Sequence, residues 1–78
     1  MGVKVQKTML SYILKEHGEG KILTAAKKIG VSPDYLYKVV NHDIPVGDRF
    51  IKGLMKLTGL DFSALFYYSE KEEKENGN

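Results

Sequence analysis

The chain has 78 residues, enough for one small domain. It contains no cysteine, which excludes disulfides, thiolate zinc sites and thiol nucleophiles and fits a reducing cytoplasm. The net charge of +2 divides unevenly: residues 1–68 carry ten Lys/Arg against six Asp/Glu, whereas residues 69–78 carry Lys71 and Lys74 against Glu70, Glu72, Glu73 and Glu75. A mildly basic body with an acidic tail is compatible with an anionic polymer as partner without requiring one. A core this small contributes only roughly 5 kcal/mol of stability, so dimerisation is one expected source of more. No run of the sequence approaches the ~20 apolar residues that span a bilayer. No secretory leader is read. Gln6 stands where a myristoylation signal starting at Gly2 needs Ser or Thr. The expectation is a soluble, cytoplasmic protein.

Residues 3–17 read as a first helix. Val5, Met9, Leu10, Ile13 and Leu14 form its apolar stripe, with Tyr12 at the edge, and Gly18 ends it. Residues 21–29 read as a second helix, apolar at Ile22, Ala25, Ala26 and Ile29, the i, i+3, i+4, i+7 spacing of one buried face. Gly30 supplies the left-handed backbone that stops a helix without a Cβ penalty. Ser32 is a preferred N-cap, and Pro33 fits the first helical position, where its missing N–H costs nothing. Val31 and Leu36 stand at the two positions of a hydrophobic staple. A third helix therefore spans 33–40 and buries Leu36, Val39 and Val40.

Asn41 to Gly47 reads as a loop, with Asn41 in the left-handed conformation and Pro45 pushing Ile44 away from helical geometry. A fourth helix covers about 48–58. Asp48 favours its N-terminal dipole, and Phe50, Ile51, Leu54, Met55 and Leu57 supply its apolar face. Gly53 in its middle costs up to ~1 kcal/mol against alanine. Asp61 can cap a fifth helix from Phe62 to about Tyr68. No strand pattern is evident. The expected organisation is an all-α, five-helix domain over residues 1–68, followed by a solvated acidic tail over 69–78.

Two short helices joined at a glycine corner have the form of a helix-turn-helix. The residues around the corner go further. Ala26, Ile29, Gly30, Val31 and Ser32 are followed by Tyr35, Leu36, Lys38 and Val39, then by Asn41, Pro45, Leu54, Gly59, Leu65 and Phe66. From Gly30 to Phe66, without a gap, this pattern resembles the Cro-and-repressor type of helix-turn-helix domain, also called the xenobiotic-response-element family. The first helix matches only in length and patterning. The resemblance implies a lambda-repressor-like fold that binds double-stranded DNA with the 33–40 helix in the major groove.

Carried over by position, Pro33, Asp34, Tyr37 and Lys38 would face the bases. Lys38 can donate to guanine, Asp34 can accept from cytosine N4 or else only stabilise the helix N-terminus, and Tyr37 can pack on a thymine methyl or bond a phosphate. Lys21, Ile22, Ser32 and Asn41 would meet phosphates, through side chains or the N–H groups of a helix start. Three positions depart from the family pattern: Pro33 and Asp34 stand where Gln or Arg is frequent, and Asp43 stands in a loop that is usually basic. Phe66, Tyr67 and Tyr68 either close the core or form a two-fold dimer contact through the fifth helix. A homodimer would set two recognition helices about 34 Å apart on a roughly palindromic operator.

Other chemistry is poorly represented. His17 and His42 lie at helix ends, where a histidine suits the dipole. Neither has neighbours at metal-ligand spacing. There is no phosphate-cradling glycine loop, and Glu70 to Glu75 read as a solvated tail rather than an acid–base site. Lys27 and Lys28 read as a solvated face. Tyr35 and Tyr37 are open between core edge and partner surface. The expectation is thus a small transcriptional regulator of the repressor kind, with no catalysis, metal, cofactor, membrane or small-molecule substrate. The alternative is a protein-interaction module or antitoxin-like partner protein on the same fold, with weak or lost DNA binding. The inversion-stimulation type of regulator shares the A-A-K-K-φ-G-V-S corner, but the two helices after the corner argue against it.

Overall fold

A computed structural model of the chain describes residues 2–69. In chain order the elements are β1 (Gly2–Val5), α1 (Lys7–Gly18), α2 (Ile22–Ile29), α3 (Pro33–His42), α4 (Asp48–Thr58), α5 (Phe62–Leu65) and β2 (Phe66–Ser69). The domain is mostly helical, as expected, but it is not all-α. β1 and β2 form a two-stranded antiparallel sheet with Gly2 opposite Ser69, Val3 opposite Tyr68, Lys4 opposite Tyr67 and Val5 opposite Phe66.

The sheet corrects the first and last helices. Val5 belongs to β1 rather than to the stripe of α1, and it is buried directly opposite the buried Phe66. Gln6 is extended and its carbonyl accepts from the N–H groups of Met9 and Leu10, so α1 starts four residues later than the apolar period suggests. At the other end Phe66 is extended (φ −130°, ψ 167°), and α5 stops at Leu65. The physical reason is non-local. Val3 and Val5 alternate about Lys4, but a strand pays its entropy only when a partner arrives, and here the partner lies at the other end of the chain. Ser69, read above as the start of the tail, is the buried last residue of β2; residues 70–78 lie outside the described residues.

The corner between α2 and α3 follows its local chemistry. Gly30 is left-handed (φ 98°) and its N–H donates to the Ala26 carbonyl at 2.8 Å. Ser32 caps α3, its hydroxyl oxygen accepting from the Tyr35 N–H at 3.1 Å. α3 outlasts its expected end by two residues: Asn41 and His42 are helical, and the left-handed residue is Asp43 (φ 52°), not Asn41. Glu19 (φ 55°) likewise takes the left-handed position after α1, with Gly18 the last helical residue.

α2 lies at the centre. Ala25 and Ala26 are fully buried and admit close neighbours on both sides. A Cβ on Gly18 of α1 would sit 2.7 Å from the Ala25 Cβ. A Cβ on Gly53 of α4 would run into the carbonyl oxygen of Ile29. That contact explains a glycine in mid-helix: α4 crosses the end of α2 with no room for a side chain between the backbones. Ile13, Leu36, Phe50, Leu54 and Leu65 complete the core. Phe50 links two aromatic contacts, Tyr35 at 5.8 Å on one side and Phe66 at 6.4 Å on the other, both edge-on. Among the described residues no helix is long and apolar enough to cross a membrane.

Gly53→Ala tests this crossing. Alanine favours an isolated helix by about 1 kcal/mol, whereas overpacking against backbone costs typically ~1–3 kcal/mol. The expected outcome is a net loss of stability in urea denaturation, and a gain would show that the two helices are not in backbone contact.

Candidate nucleic-acid interface

α3 divides cleanly into two faces. Leu36 and Val39 point into the core, with Tyr35 and Val40 half-buried beside them. Pro33, Asp34, Tyr37, Lys38, Asn41 and His42 are exposed. At 100° per residue, 34, 37, 38 and 41 share one stripe opposite Leu36 and Val39. The four residues expected to face bases therefore do share the solvent side of one helix.

Their side chains are engaged with one another. The Asp34 carboxylate and the Lys38 ammonium form an i, i+4 ion pair at 3.4 Å, both well exposed. Such a pair contributes only a few tenths of a kcal/mol to the helix. It does, however, offset the charge of the only cation in the stripe. Asn41 turns its side-chain amide back to donate to the Tyr37 carbonyl at 3.1 Å, and the Tyr37 ring meets His42 edge-on at 6.1 Å.

The residues expected to meet phosphate lie on several elements: Lys21 and Ile22 at the start of α2, Ser32 at the corner and Asn41 near the end of α3. Lys21 is the exposed N-cap residue of α2, and the helix start has no side-chain cap. Ile22 packs its side chain toward the core, so only its backbone N–H is left to offer. The Ser32 hydroxyl oxygen is already an acceptor in its own cap. Asp43 does not stand alone: Lys4 of β1 reaches it at 3.5 Å, with a side chain only 13% exposed. The sheet thus delivers a cation to the one loop carboxylate that would repel a phosphate.

Tyr35 resolves to the core edge. Its ring lies against Phe50, and its hydroxyl oxygen accepts from the Gly47 N–H at 3.1 Å, tying α3 to the start of α4. Beside that bond is an open cleft of about 360 Å³ lined by Val31, Ser32, Tyr35, Gly47, Arg49 and Phe50. Arg49 is exposed and forms no ion pair among the described residues. Sequence reasoning overlooked it. The available signal was its place one residue after Asp48, at the opening of a helix whose N-cap is a glycine with no side-chain bond.

Phe66, Tyr67 and Tyr68 separate. Phe66 is buried, while Tyr67 and Tyr68 are exposed on β2. Lys27 and Lys28 are exposed in the last turn of α2. Among the described residues no three His, Cys, Asp or Glu side chains are placed to hold a metal ion. No family model, no curated protein and no solved structure matches the chain.

Tyr35→Phe removes a single hydroxyl and leaves the ring contact with Phe50. The expected cost is about 1 kcal/mol in chemical denaturation. Amide exchange at Gly47 should quicken in the same variant, and an unchanged Gly47 would mean that the hydroxyl does not hold the loop.

Proposed function

We propose that this chain is a lambda-repressor-like helix-turn-helix domain of the Cro-and-repressor type, acting as a small transcriptional regulator that binds double-stranded DNA. One observation supports this most: a short helix, held by the Gly30–Ser32 corner, turns the stripe of Asp34, Tyr37, Lys38 and Asn41 to solvent, with cations outside it. In this proposal α3 enters the major groove. The Asp34–Lys38 pair is neutral as a unit, so it contributes discrimination between bases more than affinity. A lysine donates to guanine O6 or N7, and a carboxylate accepts from cytosine N4. Affinity comes from the flanks, where Lys21, Arg49 and the first N–H groups of α2 and α4 meet phosphates. The working form is a homodimer on a roughly palindromic site. No catalytic step is involved.

A second function has an observation of its own in favour. The stripe has no net charge once Asp34 and Lys38 pair, and Tyr37 is half exposed. A neutral, aromatic helix face also suits a protein partner, as in an interaction module or an antitoxin-like protein.

Selection from random duplexes separates the two. DNA binding predicts an enriched sequence and an affinity that falls with salt at a log–log slope of about −0.9 per phosphate neutralised. A flat salt response and no enriched duplex would exclude it. Within the DNA proposal, Lys38→Ala is expected to lose ~1–3 kcal/mol on the selected site and little on unrelated DNA. Arg49→Ala is expected to weaken binding alike on all sequences and to lower the salt slope by about 1. Asp34→Asn, which frees Lys38, should strengthen binding to unrelated DNA by roughly 0.5–1 kcal/mol.

A further inference from the structure

β2 ends at Ser69, and the sheet determines where the chain leaves the described domain. Ser69 is paired with Gly2, at the ~5 Å that separates neighbouring strands. Gly2 in turn lies against the loop before α4: a Cβ placed on it would stand 3.0 Å from the Pro45 Cβ. Pro45 is exposed and precedes Arg49 by four residues. The segment after Ser69 therefore starts at the loop that leads into the cleft of Val31, Ser32, Tyr35, Gly47, Arg49 and Phe50. A chain spans at most ~3.3–3.6 Å per residue, so the stretch from Glu70 to Glu75 reaches roughly 20 Å, enough to bring a carboxylate to the Arg49 guanidinium. Among the described residues nothing stands within 4 Å of a Cβ placed on Gly47, so the cleft is open on that side.

We propose that the acidic segment from Glu70 to Glu75 docks on this cleft within its own molecule, with a carboxylate on the Arg49 guanidinium, and yields the place to a competing phosphate. Three features select this occupant. The first is charge: the segment carries four glutamates against Lys71 and Lys74, and Arg49 is the chain's only arginine. A guanidinium takes a carboxylate through two parallel hydrogen bonds, which a lysine cannot do. The second is that the carboxylates near Arg49 are already engaged. Asp48 is turned to Lys52 at 3.1 Å, Asp34 to Lys38 at 3.4 Å and Asp43 to Lys4 at 3.5 Å. Arg49 itself has no ion pair among the described residues. The third is the tether. A group held on the same chain acts at an effective concentration on the order of millimolar, so an exposed pair too weak to hold two separate molecules is still populated. The methylene stems of the glutamates and lysines can lie along Val31 and Tyr35 while their charged ends stay in water. In the DNA proposal Arg49 meets a phosphate, so a docked segment and a duplex exclude each other there. The docking does not rest on that proposal and is tested without DNA.

The chain has no cysteine, so Asn76→Cys provides a single attachment point for a nitroxide spin label next to the glutamates. In the full-length chain at low salt the label is expected to broaden the amide signals of Ser32, Gly47 and Arg49. That broadening should fall several-fold in ~1 M salt, where charges are screened within about 3 Å. It should fall likewise in Arg49→Gln, and when Glu70→Gln, Glu72→Gln, Glu73→Gln and Glu75→Gln are combined. Gly2, beside the root of the segment, should stay broadened throughout. No broadening at Ser32 and Gly47, or broadening there that ignores both salt and Arg49→Gln, overturns the proposal. So does broadening passed to unlabelled copies in a mixed sample, which would place the segment on a neighbouring molecule. With unrelated duplex DNA, the variant with all four glutamines should bind about three- to fivefold more tightly, as expected for release of one exposed ion pair. The gain should vanish when Arg49→Gln is added; a gain that persists is bulk charge and overturns the competition. Docking with no DNA binding at all rejects the proposed function and leaves the docking standing, whereas DNA binding without docking does the reverse.

Discussion

Everything in this small domain depends on how close its helices come to α2. Ala25 and Ala26 have no bulk to hold neighbours off, Gly18 gives α1 its approach, and Gly53 gives α4 its approach to the Ile29 carbonyl. Interiors are packed like organic crystals, so a crossing with no side chain between the backbones leaves little freedom of angle. The end of α2 is thus clamped from one side by α4. Its next residue is the left-handed Gly30, which sets the direction in which α3 departs. Small residues at the centre determine where an exposed helix points at the surface.

Local chemistry was the part of this fold that could be read in advance. The Gly30 corner, the Ser32 cap, Gly59 after α4 and the apolar faces of α2 to α4 depend on neighbours within a turn or two, and all are as expected. Two kinds of feature were not readable in that way. One is the sheet: Val3, Lys4 and Val5 fit a strand as well as the start of an amphipathic helix, and only Phe66, more than sixty positions away, decides between them. The other is any role assigned by spatial proximity. Gly53 looks like a defect until Ile29 is placed against it, and Arg49 looks ordinary until the cleft beside Tyr35 forms. At the candidate site, the shared face of residues 34, 37, 38 and 41 follows from helical period alone, whereas the Lys4–Asp43 pair required the sheet.

The sheet ties the chain's two ends to the loop that follows α3. β1 lies between β2 and Val46, and its Lys4 reaches Asp43. The loop between α3 and α4 is accordingly fixed from two directions, by Tyr35 from α3 and by β1 from the N-terminal end. A loop with a backbone bond to a strand is less free to remodel than one without. In the DNA proposal a duplex at the α3 stripe would meet a preorganised loop at that end of the helix, with little ordering entropy to lose.

Charge is the remaining constraint. Asp34 and Lys38 neutralise each other, Asp48 and Lys52 do the same at 3.1 Å on α4, and Asp43 is held by Lys4. Two exposed cations outside the α3 stripe have no ion-pair partner among the described residues: Arg49, in the cleft beside Ser32 and Tyr35, and Lys21, at the start of α2. In the DNA proposal this separates two tasks that many basic recognition helices combine. Margins that carry the phosphate contacts give binding its salt dependence, while a neutral reading face adds little to non-specific affinity. A protein with few phosphate contacts binds random DNA weakly, so a modest number of base contacts still yields a useful ratio of specific to non-specific binding. Within the DNA proposal the same distribution gives a homodimer its value, because each copy alone brings few cations to the phosphates. In that proposal a sparsely charged helix face gains affinity by doubling rather than by adding lysines.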